Sequence, residues 1–295
     1  MTETQSSDPR DLGPAPSLRE MVAQYGIHFK KALGQNLLLD DNINRILVDA
    51  AELTREDYVV EVGAGLGALT RRIAARAGRL LSVEIDASFM PCLEAQFGHL
   101  EHVKLFRGDI LNHSLVKLIE EFIPGGTSHK LIANLPYYIT TPVLFHFLEA
   151  PIFFSHIVVM LQEEVGLRLA AKVDTADYGV LTIAGQLYAD VDIVHRVPAS
   201  CFVPQPKVDS AIVRFRCHTR TNNNIEEQKF TMKVVRAAFS QRRKTLRNSL
   251  TTSFGAPKPA VLEALEAAGI DAGRRPQTLS LAEFGTLARE IRARI

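Results

Sequence analysis

Four times in the first half of the chain an apolar run stops abruptly at a glycine, an acid or an amide. Tyr58-Val-Val-Glu-Val62 runs into Gly63, and Arg79-Leu-Leu-Ser-Val83 ends in Glu84. Val103 to Arg107 is followed by Gly108-Asp109, and Leu131-Ile-Ala133 by Asn134-Leu135-Pro136-Tyr137. Such short β-branched runs predict buried strands. Helical spacing follows the first of them at Leu69, Ile73 and Ala74, and again over Pro142–Leu148. Ahead of them, Asp40 or Asp41 is placed to cap a helix through Ile43, Ile46, Leu47 and Ala50. Strands alternating with helices predict an α/β domain of the Rossmann-like kind, with a mostly parallel sheet. Pro136 has no N–H for a sheet ladder and drives Leu135 towards an extended backbone, so the fourth strand has to stop there.

Further along, His156–Gln162 predicts another strand and Glu163–Ala171 an amphipathic covering helix. Tyr178-Gly179 marks a turn, and Val191–Val197 and Val208–Phe215 complete the strands. Between these last two lies Cys201-Phe-Val-Pro-Gln-Pro-Lys207, a stiff loop presenting Phe202. The polar stretch Thr219–Asn224 breaks the pattern, and everything beyond it is helical. The expected organisation is a disordered or extended tail over 1–24, an α/β domain over 25–218 and a small all-helical domain over 225–295.

Composition narrows the class. A chain of 295 residues with 46% apolar content can bury a large core. Its three cysteines are far apart and its nine histidines follow no ligand spacing, which argues against a disulfide framework or a metal site. No apolar run approaches the roughly 20 residues of a membrane span, and the first residues lack the apolar core of a secretion signal. A cytoplasmic protein with no membrane contact is expected. Net charge is only +1, so nucleic-acid binding would need local clustering. That clustering exists: Lys229, Lys233, Arg236, Arg242, Arg243, Lys244 and Arg247 fall within 19 residues that hold no acid. One-signed clustering in a near-neutral chain predicts a phosphate-backbone surface, although a solvated face is the plain alternative.

The strand ends carry the candidate chemistry, because ligands of open α/β sheets bind at the carboxyl edge. Gly63-Ala-Gly65-Leu-Gly67 is a Gly-x-Gly-x-Gly turn, not the Gly-x-Gly-x-x-Gly that sets a helix dipole against a pyrophosphate. With Glu61 at hand, it points to a cationic ligand without a diphosphate, namely S-adenosylmethionine. Glu84 stands about 20 residues after the turn, where an acid accepts from ribose hydroxyls. Asp109 can accept from an adenine amino group. For each acid the alternative is an ordinary cap of the next helix. Gln35-Asn36, after the Gly34 turn, bring two amides onto the same ligand or merely cap a turn. At the fourth strand end, the Asn134 amide oxygen and the Leu135 carbonyl can accept both hydrogens of an exocyclic amine, and Tyr137 can stack on its ring. Phe202 serves as a second stacking wall or as a buried anchor of its loop.

Several motifs now occur in order: Lys31-Ala-Leu-Gly-Gln-Asn-Leu-Leu-Leu-Asp40, Glu61-Val-Gly-Ala-Gly-Leu-Gly-Ala-Leu-Thr70, Val83-Glu-Ile-Asp86, Gly108-Asp-Ile110, Asn134-Leu-Pro-Tyr-Tyr-Ile-Thr-Thr-Pro142, Phe202-Val-Pro-Gln-Pro-Lys-Val-Asp-Ser-Ala211 and Phe239-Ser-Gln-Arg-Arg-Lys-Thr-Leu-Arg-Asn-Ser-Leu250. Together they resemble the small-subunit ribosomal RNA adenine dimethyltransferases, the kasugamycin-sensitivity family, over roughly residues 25 to 290. The resemblance implies a class I S-adenosylmethionine-dependent methyltransferase domain followed by a small helical domain. It implies that two adjacent adenines in a 3′-terminal hairpin loop of small-subunit RNA are each dimethylated, within an immature 30S-type particle, by a monomer using no metal and releasing S-adenosylhomocysteine. Family cofactor positions map onto Asn36, Leu38, Gly63, Glu84, Asp109 and Asn134, with Gln35, Glu61, Gly65, Ile85 and Ile110 beside them. The target base is implied at Asn134, Leu135, Pro136, Tyr137 and Phe202, and RNA at Lys233, Arg236, Arg242, Arg243, Lys244 and Arg247. Leu37 stands where the family usually has phenylalanine, and Ala64 where proline is common. A related large-subunit enzyme giving antibiotic resistance, or a ribosome-assembly or transcription factor without activity, are the alternative readings.

Overall fold

The structure, a computed structural model, describes residues 12, 16–27, 30, 34–38, 40–219, 222–241 and 244–295. By internal contacts the chain forms two compact units, residues 1–166 with 192–217 and residues 167–191 with 218–295.

In chain order the strands are β1 (Leu37–Leu38), β2 (Tyr58–Val62), β3 (Arg79–Glu84), β4 (Val103–Arg107), β5 (His129–Asn134), β6 (Phe154–Gln162), β7 (Ala189–Val197), β8 (Phe202–Val203) and β9 (Ser210–Cys217). Seven of them make one sheet in the order β4-β3-β2-β5-β6-β9-β7, and β1 pairs antiparallel with β8. From β4 across to β6 all pairs are parallel, and β9 runs antiparallel to β6. The central strands are apolar on both faces because helices cover both, so Val59, Val60, Leu80, Leu81, Leu131 and Ile132 are completely buried.

Register explains why the four strand ends meet. Val62 lies level with Val83 on one side and with Ala133 on the other. One residue further on, Glu84, Gly63 and Asn134 therefore share a level in that order across the sheet, each about 5 Å from the next at the strand spacing of a sheet. Glu84 pairs with Arg107, which sets Asp109 just beyond. The chain leaves β2 towards β3 and β4 and returns to β5 on its other side, so a crevice opens at this switch point.

The helices of this unit begin with α1 (Leu18–Tyr25), which corrects the expectation of a disordered or extended tail through residue 24. Ser17 and Glu20 form a capping box there, and Met21 is buried with its sulfur 3.8 Å from Cys92 Sγ. Leu18, Met21, Val22 and Tyr25 carry the helical spacing that announces it. Next come α2 (Asp41–Ala50), capped by the Asp40 carboxylate on the Asn42 N–H, and α3 (Ala68–Ala74). Three more follow: α4 (Met90–Phe97), α5 (Leu115–Phe122) and α6 (Thr140–Leu148). Helix α7 (Glu163–Leu169) crosses the division between the units.

The second unit holds α8 (Val180–Gln186), α9 (Asn222–Phe239), α10 (Leu246–Phe254), α11 (Lys258–Ala267) and α12 (Leu281–Arg294). Its core includes Val234, Leu250, Leu265, Phe284 and Ile291, all at most 1% exposed. The boundary expected at 219–224 is thus incomplete, since 167–191 groups with this unit. Buried Tyr178 donates its hydroxyl to the Leu279 carbonyl at 2.8 Å, and the Asp174 N–H donates to Gln277 O at 3.0 Å. The Gln228 amide donates to Leu187 O at 3.3 Å. Those partners lie 41 to 103 positions away, beyond the reach of a local pattern.

Candidate active site

The crevice at the switch point is a cleft of about 1010 Å³ of unfilled space, its solvent mouth included. Gln35, Asn36, Gly63, Gly65, Glu84, Ile85, Asp109, Ile110, Asn134, Leu135, Pro136, Tyr137 and Phe202 all line it. Two expected residues do not. Leu38 pairs with Phe202 across the β1–β8 ladder, and Leu37 is the side chain that reaches the cleft.

Glu61 is the other, and it corrects the reading of that acid as a neighbour for a cation. Alternation along β2 sends Val62 to the cleft and Glu61 away from it. Fully buried, Glu61 accepts from the Thr70 and Ser82 hydroxyls at 2.7 Å each through one oxygen, while the other has no partner. Burial pushes its carboxyl up to about 7. A carboxyl with a folded value above its unfolded one binds its proton more tightly in the folded state. Its contribution is full below about pH 4.5 and is lost as pH rises through 7, a change of about 3 kcal/mol. Glu61→Gln mimics the neutral acid. Its melting temperature should match wild type at pH 4, exceed it increasingly from pH 4.5 to 7 and by a constant margin above that; parallel curves would place no proton on Glu61.

At the ends of β2 and β3 the glycine turn and Glu84 hold each other. Gly63 and Gly65 have φ of 81° and 55°, a left-handed backbone that glycine adopts at least cost. The Gly65 N–H donates to Glu84 Oε2 at 2.8 Å, and the Asp86 N–H to Oε1 at 2.8 Å. Burial raises the Glu84 carboxyl, and these N–H groups oppose the shift. Each oxygen keeps a lone pair for a further donor. Asp109 does what the plain reading said, accepting from the Leu111 N–H at 3.0 Å and capping a 3-10 turn, yet it also borders the cleft. Ile85, 46% exposed, and Ile110 add apolar surface beside it.

A latch over this side was not visible in the motifs. Asp86 is buried and accepts from Lys30 Nζ at 2.6 Å and from the Gln35 amide at 2.8 Å. Burial opposes its ionisation, but the ammonium, the Ser88 N–H and the Gln35 amide outweigh that and hold it at about 2. The segment carrying Gln35 and Asn36 is thereby tied to the end of β3. Asp86 stands in the motif Val-Glu-Ile-Asp, where Glu84 draws the attention.

At the end of β5 Asn134 is half-buried, and no protein group among the described residues takes its carboxamide. Tyr137 is half-buried, its hydroxyl 2.8 Å from Ser210 Oγ, and burial pushes its phenol above the usual range. Phe202 is 3% exposed, which favours the buried-anchor reading, and its ring also borders the cleft. Tyr138 also lines the cleft and was not singled out.

No Lys, Arg or His lines the cleft among the described residues, whereas Glu84 and Asp109 do. Nothing among the described lining residues would neutralise a diphosphate. The walls fit a ligand with hydroxyls, a flat ring and positive charge.

The helical unit carries the basic residues. Lys233 and Arg236 are exposed on α9, Lys244 is exposed, and Arg247 is half-buried with no partner for its Nε. Lys229 pairs with Glu226 at 2.9 Å, and Lys233 Nζ sits 5.8 Å and 5.4 Å from the ring centres of Phe230 and Phe254. The basic run is not one helix, since α9 ends at Phe239 and α10 begins at Leu246. Arg242 and Arg243 lie outside the described residues.

The family model of ribosomal RNA adenine dimethylase matches residues 26–292. A ribosomal RNA small subunit methyltransferase A of Geobacillus thermodenitrificans is 41% identical over 282 residues, 95% of this chain and 96% of that one. A protein of the same name from Bacillus mycoides is 42% identical, covering 95% and 97%. Among solved structures, a dimethyladenosine transferase from Plasmodium falciparum superposes with a TM-score of 0.74 at 25% identity, covering 88% of this chain and 98% of that one. A 23S rRNA methyltransferase gives 0.64 at 26% identity, covering 87% and 99%. The sheet and its covering helices are those of class I methyltransferases.

Proposed function

The chain belongs to the ribosomal RNA adenine dimethylase family, and on that premise we propose that it dimethylates two adjacent adenines in a hairpin loop near the 3′ end of small-subunit RNA, within an immature particle. It is an S-adenosylmethionine-dependent methyltransferase acting on ribosomal RNA. The observation that carries the assignment to this cleft is the shared level of Gly63, Glu84 and Asn134 around a pocket lined, among the described residues, by acids and no base. Glu84 would receive ribose hydroxyls, Asp109 the adenine amino group of the cofactor, and Ile85 and Ile110 the faces of its ring. Gln35 and Asn36, held through Asp86, would cover it. When bound, the cofactor supplies a methyl group made electrophilic by its sulfonium.

What the protein adds is orientation. The exocyclic amine of adenine is a poor nucleophile because its lone pair is delocalised into the ring. The Asn134 carboxamide oxygen and the Leu135 carbonyl each accept one of its hydrogens, which favours a pyramidal nitrogen with its lone pair directed across the cleft. Tyr137, steadied by Ser210, and Phe202 hold the extruded ring by stacking. No strong base is required before attack, and the proton released afterwards leaves through the open mouth to water. Lys233, Arg236, Lys244 and Arg247, together with Arg242 and Arg243, are assigned to RNA phosphates. The protein works as a monomer, without a metal and without membrane contact, in the cytoplasm where subunits assemble. No helix among the described residues is long and apolar enough to cross a membrane.

Methylated adenines mapped by primer extension, on small-subunit RNA from a deletion strain with and without this gene restored, test the reading. Two adjacent stops that return only with the gene are expected; stops in large-subunit RNA, or none, would overturn it.

A further inference from the structure

We propose that Tyr138 is a stacking platform for the nucleobase next to the adenine gripped at Asn134, so that the cleft holds two consecutive bases of a single-stranded loop. The inference rests on the adenine-methylation reading and adds a second base site to it.

Tyr137 and Tyr138 follow one another in a 3-10 turn, Tyr137–Ile139, where successive side chains diverge by about 120°. Tyr137 turns inward to Ser210. Tyr138 turns outward and is 57% exposed, the only aromatic among the exposed large apolar side chains of the described residues. Single exposed apolar residues are common and need no explanation by themselves. This one lines the cleft in which a base is to be methylated, and its chain neighbour is the ring assigned to that base.

One side of the ring is already supported. A Cβ built on Gly34 would stand 3.2 Å from Tyr138 Cδ1 and 3.3 Å from Cε1, and Gly34 itself has φ of 58°. The flap backbone thus comes closer to the ring than a side chain would comfortably permit. Pro136 precedes the turn, and its carbonyl accepts from the Ile139 N–H at 3.1 Å and the Thr140 hydroxyl at 3.2 Å. The ring therefore stands beside the Gly34 turn, on a braced turn of its own, and is 57% exposed, so little order remains to be imposed when a flat partner arrives.

The chemistry of the reaction supplies such a partner. Extruding an adenine from a loop uncovers the face of its neighbour, which loses a stacking contact. An aromatic ring replaces that contact for any base, at about 1–3 kcal/mol. With two adjacent adenines to be modified in turn, the neighbour is at once the previous product or the next substrate. A ring that stacks without reading edges accepts both.

The test uses small-subunit particles reconstituted with RNA carrying 2-aminopurine, which lacks the reactive amine, at one of the two adenines. Expected for Tyr138→Ala is a rise in KM for the particle of about 5- to 150-fold, with loss of the 2-aminopurine quenching seen with wild type. Cofactor affinity should be unchanged, and Tyr138→Phe should restore both RNA readouts. The proposal is overturned if Tyr138→Ala keeps wild-type KM and quenching, if Tyr138→Phe fails as badly as alanine, or if the main loss is in cofactor affinity. The last result would make the ring a support for the flap at Gly34. Were wild type itself unable to methylate adenine in unmodified particles, the underlying reading would fail instead. Asn134→Ala separates the two sites, losing turnover while retaining the quenching.

Discussion

Asn134→Ala should abolish measurable methyl transfer while leaving the protein folded and able to bind its cofactor. The residue closes β5 with its backbone paired to Met160, and its carboxamide is engaged by no protein group among the described residues. Removing that amide creates no orphaned polar partner, so melting should shift by no more than a degree or two. Cofactor affinity should drop only severalfold, because Gly63, Glu84 and Asp109 stay in place. Turnover should fall by about 10²–10³-fold or more, the range for losing one preorganised hydrogen-bonding group where charge shifts in a transition state. An amine hydrogen left without its acceptor also returns the lone pair to the ring. Transfer of labelled methyl to immature small subunits, beside equilibrium binding of the cofactor, measures the two effects apart. Near-normal turnover would remove the amide from the mechanism, and lost cofactor binding with lost turnover would make Asn134 a cofactor ligand first.

The same strand end shows how far the residue pattern could reach. Four apolar runs stopping at Gly63, Glu84, Asp109 and Asn134 were legible because parallel strands in register need only equal lengths to bring their ends together. Facing was harder. Glu61 sits in a strand buried on both faces, where periodicity cannot tell the cleft from the core, and its partners Thr70 and Ser82 become apparent only once α3 and β3 are packed. Asp86 is separated from Lys30 by 56 positions, so no local motif could announce the latch. The β1–β8 pair is two residues long in each strand, below the length at which alternation carries information. Phe202 was left open between platform and anchor: its burial makes it an anchor, and its place at the cleft wall leaves the platform as a proposal. The basic residues were visible as a cluster, but the break between Phe239 and Leu246 was not, because Ser240 to Thr245 contains neither glycine nor proline.

Neutralising Lys233, Arg236, Lys244 and Arg247 to glutamine should weaken RNA binding strongly, and the salt dependence should reveal why. Each cation that contacts a phosphate releases condensed counterions and contributes about 0.7 to 0.9 to the slope of log affinity against log salt. Four such contacts removed would flatten the slope by about 3 and lower affinity by about 10²–10³-fold near 0.15 M salt. Lys233 tests the argument most sharply. Its ammonium lies over Phe230 and Phe254, which restrains a side chain that would otherwise lose rotamer freedom on binding. Arg236 has no acidic partner among the described residues, whereas Lys229 is already paired with Glu226 and should contribute less. Lys229→Gln is therefore the internal control, with a slope change well below that of Lys233→Gln. Cofactor affinity should not move in any of these variants, because none of the residues lines the cleft. An unchanged salt slope in the fourfold variant would remove this face from RNA recognition, whatever happened to affinity at a single salt concentration.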